Sequence, residues 1–246
     1  MGIRGGHEVE ADAQAGELVR HYNQYRMGVI VTGASGGLGQ VVVEAFLAEG
    51  ASVYGVDLAW KQAPANSNFH ALEANVLEAS DCERVVASAE PVDALVHLVG
   101  GFAGGKPVAE TADDVWTRML DLNLRAAINM FRAVLPGMVQ ASRGRIMAVG
   151  SRAAAEPMAN FAAYSVSKAA LVTLVKTVAL EVKGTGITAN VILPSVIDTG
   201  ANRAAMPKAD VSKWVKPESI AGLLVWLASE EARDVSGAAV PIYGGA

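Results

Sequence analysis

The chain has 246 residues, 52% of them apolar and 18% charged, with a formal net charge of −5. That length can bury a large core, and mild acidity without a basic cluster argues against nucleic acid as a partner. The single cysteine, Cys82, excludes an internal disulfide, and the spaced His7, His21, His70 and His97 form no zinc-ligand pattern with it, so no metal is expected.

Residues 1–26 read MGIRGGHEVEADAQAGELVRHYNQYR and carry no apolar stretch like a secretory leader's core. They are read as an N-terminal extension, either a short helix over roughly Ala13–Tyr25 or unstructured chain, with Met27 an alternative start. No run of about 18 apolar residues occurs, so no membrane span is expected and a cytoplasmic location is.

Residues 27–246 read as one domain. Short apolar runs predict strands at Gly28–Thr32, Ser52–Val56, Asn68–Glu73, Ala94–Leu98, Arg145–Val149, Thr188–Leu193 and Ala238–Ile242. Most lack alternation, as in a sheet covered on both faces. Helices are predicted between them at Leu38–Glu49, Glu78–Ser88, Ala112–Gln140, Ala162–Lys183 and Pro217–Ala228. The alternation of the two predicts a doubly wound, seven-stranded, mainly parallel sheet of Rossmann type with helices on both faces. Val115–Val139 and Ala169–Val182 are apolar nearly all round, more than a helix lying on a sheet requires. Their outer faces are read as subunit contacts of a homo-oligomer, a dimer or tetramer.

The first predicted strand runs into Thr32-Gly33-Ala34-Ser35-Gly36-Gly37-Leu38-Gly39 and then a helix. Glycine lets phosphate oxygens approach the backbone, and the free N–H groups and dipole of a helix start favour negative charge. The turn is therefore read as a dinucleotide pyrophosphate site. Asp57 ends the second strand, where a carboxylate can accept hydrogen bonds from ribose hydroxyls and repels an extra phosphate. Leu58, not a basic residue, follows it, so NAD is preferred over NADP.

Tyr164-Ser165-Val166-Ser167-Lys168 opens an apolar helix. Tyr and Lys at i and i+4 share a helix face, and a nearby ammonium lowers the pKa of a phenol. Tyr164 can then exchange a proton with a substrate oxygen. Ser151 follows the fifth strand at its carboxyl end, where ligand sites of open sheets gather, and its hydroxyl could hold a carbonyl.

Together these motifs resemble the short-chain dehydrogenase/reductase family from about Gly28 to Gly245. The resemblance implies a small-molecule carbonyl or alcohol substrate. It also implies a catalytic role for Asn123, in Asp121-Leu122-Asn123-Leu124, as the residue that orders a proton-relay water. Lys168 would bind the nicotinamide ribose as well as tune Tyr164. Cofactor contacts would also come from Val99 and Gly100, from Val76 beside Asn75, and from Pro194, Ile197 and Thr199. The chain departs from the family pattern at His97-Leu98-Val99-Gly100, at Asn75 and at Ser195. The run Val99–Gly105, with Asn202, Arg203, Met206 and Trp214, is similar to quinonoid dihydropteridine reductases, which lack the serine kept here. Pteridine reduction and a non-catalytic dinucleotide-binding regulator are the alternatives. His97 is read as a packed, hydrogen-bonded core histidine and Arg203 as solvated. The stretch 199–216 is read as a lid.

Overall fold

The computed structural model describes residues 26–89 and 91–245. The helix considered for Ala13–Tyr25 lies outside them. In chain order the elements are β1 (Gly28–Thr32), α1 (Gly37–Ala48), β2 (Ser52–Asp57), β3 (Phe69–Glu73), α2 (Ala79–Ser88), β4 (Ala94–His97) and α3 (Asp113–Leu120). Then follow α4 (Ala126–Ala141), β5 (Gly144–Val149), α5 (Ala162–Glu181), β6 (Ile187–Pro194), α6 (Gly200–Ala205), α7 (Pro217–Ala228) and β7 (Ala239–Ile242).

The strands form one sheet in the order β3-β2-β1-β4-β5-β6-β7. Every neighbouring pair is parallel, so the expectation of a mainly parallel sheet becomes an all-parallel one. β1, β4, β5 and β6 are buried along their whole length, which is why their sequences are continuous apolar runs.

Successive side chains on a strand point to opposite faces, and this sorts the core into two layers. Ile30, Leu95, Ile146 and Val191 pack with Cys82 and Val85 of α2, Met130 and Phe131 of α4, and Leu171 and Val175 of α5. Val29, Val31, Val96, Met147 and Ile192 face the other way, onto Val42, Val43 and Phe46 of α1 and Ile220, Leu224 and Leu227 of α7. The fold is doubly wound, with strand order reversing between β1 and β4, and a crevice opens at such a reversal outside the strands' carboxyl ends. By length and hydropathy α5 would pass for a membrane span, but its inner face lies in the first core layer.

The single helix predicted over Ala112–Gln140 is instead two helices joined by a π-helical turn at Asp121–Arg125. Such turns often mark functional positions in helices, and this one carries Asn123 inward, fully buried. The stretch 199–216 contains the short helix α6, for which the sequence carried no expectation. Its return limb is tied to the segment just after β6 through a parallel bridge between Ile197 and Val215.

Candidate active site

The crevice begins at the glycine-rich turn. Gly33 takes a left-handed φ of +71°, and α1 starts four residues later. Gly39, in the first turn of α1, must be glycine: a Cβ there would lie 2.1 Å from the Gly33 carbonyl oxygen. Its missing side chain draws the helix start onto the turn, leaving backbone N–H groups at the mouth of the crevice.

Gly33, Ser35, Gly36, Gly37, Leu38 and Gly39 form one wall of a cleft of about 630 Å³. Asp57, Asn75 and Val76 line it from the ends of β2 and β3, and Val99 and Gly100 from beyond β4. These sequence-predicted residues are thus brought together. Leu58 and Leu122 also line it; the sequence marked them only as neighbours of Asp57 and Asn123. A backbone cradle with an acidic far end suits a dinucleotide.

Asp57 is already oriented. One carboxylate oxygen accepts the Ser35 backbone N–H at 2.9 Å and its hydroxyl at 2.7 Å, and the other accepts the Leu58 N–H at 2.8 Å. The Asn75 side chain turns back to accept the Leu77 N–H at 3.1 Å. Thr199 faces the turn, since a Cβ on Gly37 would lie 3.3 Å from the Thr199 Cβ. With Gly37, Asp198, Arg203 and Lys216 it lines a second, more open cavity of about 700 Å³. Pro194 and Ile197 line neither cavity. Pro194 ends the buried strand β6, and Ile197 makes the bridge to Val215.

Behind Gly100 lie two of the catalytic candidates. A Cβ on Gly100 would come 2.7 Å from Asn123 Oδ1 and 3.0 Å from Lys168 Nζ. Asn123 Oδ1 accepts the Gly101 N–H at 2.9 Å, and its Nδ2 donates to the Gly101 carbonyl at 3.0 Å and to Ser167 Oγ at 2.9 Å. The Ser167 hydroxyl donates in turn to the Tyr164 carbonyl at 2.8 Å. This serine was missed; its only sequence signal is its place inside the Tyr164–Lys168 pentapeptide.

Lys168, buried one turn along α5 from Tyr164, donates to the Val149 carbonyl at 2.9 Å. Burial pushes its pKa down to about 8 from 10.5. Ser151 follows β5 and caps a short turn, its hydroxyl accepting the Ala153 N–H at 3.2 Å. Burial raises the pKa of the Tyr164 phenol, and hydrogen bonding to the Ser151 side chain pulls the other way. Of the four catalytic candidates, Asn123 and Lys168 thus reach the edge of the cleft behind Gly100, and the Tyr164 phenol is hydrogen-bonded to the Ser151 side chain; none of the four lines the cleft itself.

His97 packs as a core histidine, with Nδ1 3.0 Å from Thr32 Oγ1, and burial pushes its pKa down to about 3. Thr32 Oγ1 also accepts the Leu98 N–H at 3.2 Å, so this pair fastens β4 to β1 where the cleft opens. Arg203, expected to be solvated, is exposed, and it also forms a two-pronged ion pair with Asp198, at 2.5 and 2.8 Å. Trp214 is buried, while Met206 stays exposed.

Comparison with known proteins agrees with this fold. The family model described as short chain dehydrogenase matches residues 28–210. A short chain dehydrogenase, adrF, of Penicillium rubens is 31% identical over 242 residues, covering 87% of this chain and 94% of its own. The crystal structure of an oxidoreductase of the short chain dehydrogenase/reductase family from Burkholderia thailandensis is 30% identical, with a TM-score of 0.82 over 90% of this chain and 93% of its own. ElxO, solved with NADP bound, shares the fold at a TM-score of 0.84 and 20% identity, over 90% of this chain and 98% of its own. These matches support the family as a whole and do not single out its dihydropteridine-reducing members. On its motifs, its sheet and these relatives alike, the chain belongs to the short-chain dehydrogenase/reductase family of oxidoreductases.

Proposed function

We propose that this protein interconverts a carbonyl and an alcohol, using NAD(H) in preference to NADP(H). One observation carries the reading: Gly100 lines the cleft and also lies against Asn123 and Lys168, with no room on that side for a Cβ. A ligand filling the cleft would thus end against the groups able to manage a proton. When bound, a nicotinamide dinucleotide supplies or accepts the hydride.

The chain's own residues do the rest. The turn Gly33–Gly39 cradles the pyrophosphate, with Thr199 opposite. Asp57 receives the adenosine ribose and disfavours a phosphate there. Asn75 and Val76 border the adenine, and Val99, Pro194 and Ile197 guide the rest of the cofactor toward Gly100. Ser151 holds the substrate oxygen by a hydrogen bond. In the reducing direction Tyr164 donates its phenolic proton to that oxygen as the carbonyl carbon is reduced, and in the oxidising direction it takes that proton back. Burial alone would keep Tyr164 protonated, so forming its phenolate needs a cationic neighbour. Lys168, protonated at pH 7 with a pKa near 8, serves as one and binds the nicotinamide ribose. Asn123 orders the water that returns the proton to Lys168. Retention of Ser151 and Asn123 beside the tyrosine favours a carbonyl or alcohol over a pteridine.

The protein is proposed to act in the cytoplasm, where its lone, buried Cys82 stays reduced. It is proposed to be a homo-oligomer, a dimer or tetramer, supported by the outward Val139 of α4 and Val166 and Leu180 of α5, which are 49%, 50% and 73% exposed. The direct test is Tyr164→Phe assayed with NADH and NADPH against a panel of ketones. Turnover should fall by about 10²- to 10⁴-fold with dinucleotide affinity little changed. Turnover near that of the parent protein would defeat the assignment.

A further inference from the structure

The loop after β4 carries an aromatic side chain that the proposed chemistry does not use. Phe102 is 65% exposed, yet its ring is held from two sides. It meets the Tyr164 ring edge-on, with centroids 5.0 Å apart and planes at 73°, and the Phe161 ring at 5.5 Å and 35°. An exposed phenylalanine on a loop ordinarily loses some χ1 freedom when something packs on it. This one already rests against two rings.

The loop itself is clamped on both sides. Asn123 holds the Gly101 peptide by its N–H and its carbonyl. Further on, the Gly105 N–H donates to the Asn160 carbonyl at 2.8 Å. Between them Gly104 lies so close to Phe161 that a Cβ would come 2.2 Å from its ring. The loop and the segment leading into α5 are thus fastened together, with Phe102 presented between them.

We infer that Phe102 is a specificity-determining residue, and that the substrate carries an aryl or similarly flat unsaturated ring on its carbonyl carbon. This rests on the proposed role of Tyr164. A carbonyl oxygen at the Tyr164 hydroxyl leaves its carbon substituent beside the phenol, and Phe102 is the exposed apolar surface that adjoins that ring. Aromatic pairs favour edge-on or offset contact through their quadrupoles, which a saturated ring of similar size lacks. Phe102 and Phe161 already supply two such rings in fixed positions, and an aryl group would complete the cluster and cover the uncovered part of Phe102.

Acetophenone and cyclohexyl methyl ketone, similar in size but differing in flatness, separate the cases. Each is titrated by calorimetry into the full chain saturated with oxidised dinucleotide, NAD or NADP, whichever binds tighter. No hydride is then available, and binding is read without turnover. Acetophenone should bind about five- to tenfold more tightly. Phe102→Leu should abolish that preference while leaving cyclohexyl methyl ketone within about twofold, and Phe102→Tyr should retain it. Equal binding of the two ketones, binding of neither, or a preference that survives Phe102→Leu overturns the inference. So does a change in assembly size on sedimentation with ketone binding unaltered, which would assign Phe102 to a subunit contact. The Tyr164→Phe assay fails or succeeds separately, because it reads turnover and not the choice between ketones.

Discussion

Asn123 grips the peptide of Gly101 at both ends, accepting its N–H at 2.9 Å and donating to its carbonyl at 3.0 Å. The grip exists because the π-turn rotates a fully buried amide toward the loop after β4. A regular α-helical turn would send that side chain in another direction.

Replacing Asn123 by Ala therefore removes three hydrogen bonds at once, taking both partners from Gly101 and leaving the buried Ser167 hydroxyl only its bond to the Tyr164 carbonyl. Unfolding in urea should show a loss of about 2–4 kcal/mol, given the usual cost of unsatisfied buried groups. A loss below about 1 kcal/mol would mean that water replaces the amide without cost.

Gly100→Ala tests the wall between cleft and catalytic group. The new methyl would sit 2.7 Å from Asn123 Oδ1, which is held by hydrogen bonds, and 3.0 Å from Lys168 Nζ, which ends a flexible chain. Lysine can yield more easily than asparagine, so the expected result is misplacement of the ammonium. Turnover should fall by more than about tenfold while the melting temperature changes by only a few degrees. An unchanged kcat would show that the ammonium need not stay where it is.

Asp57→Ser addresses cofactor choice. The carboxylate holds Ser35 and the start of the Leu58 peptide by three hydrogen bonds, so the substitution removes both its charge and its grip on the turn. NADH should bind more weakly and NADPH more tightly, shifting the ratio of their dissociation constants by about tenfold or more, as expected for loss of a charge facing a phosphate. Fluorescence titration with each cofactor measures the ratio directly. No shift would remove Asp57 from the specificity argument.

His97 makes folding sensitive to acid. Burial, helped by the charge of Lys168, pushes its pKa down to about 3 from 6.5. Below pH 6.5 the unfolded chain's histidine binds a proton that the folded one refuses until about pH 3, so this stability is complete above pH 6.5 and is lost across that window. In His97→Asn, which can still bond to Thr32, urea midpoints measured between pH 7 and 4 should fall less steeply than in the parent. Parallel pH profiles would assign the acid sensitivity to other groups.

All seven strands were legible within a residue or two at each end, because a parallel sheet covered on both faces demands uninterrupted apolar runs such as GVIVT and ALVH. The cleft lining from Gly33 to Gly39 was legible for a local reason too, since the turn and helix start are contiguous in the chain. Asn123 was reached only by resemblance. An extra residue in a helical turn leaves no trace in periodicity, and a single long helix was the natural reading of Ala112–Gln140. The partnership of Phe102 with Phe161 was invisible for a different reason. It joins segments far apart in sequence, and the sign of their contact, a glycine facing a ring, has no local pattern.

The loop after β4 also divides its letters into two kinds. At Gly100, Gly101 and Gly104 a methyl group would strike, respectively, the Asn123 amide, Leu122 and Phe161. Phe102 sits among them with most of its surface in the open. A designer seeking a new ligand preference thus has one adjustable letter in a rigid frame, and could rewrite what this enzyme accepts without disturbing how it works.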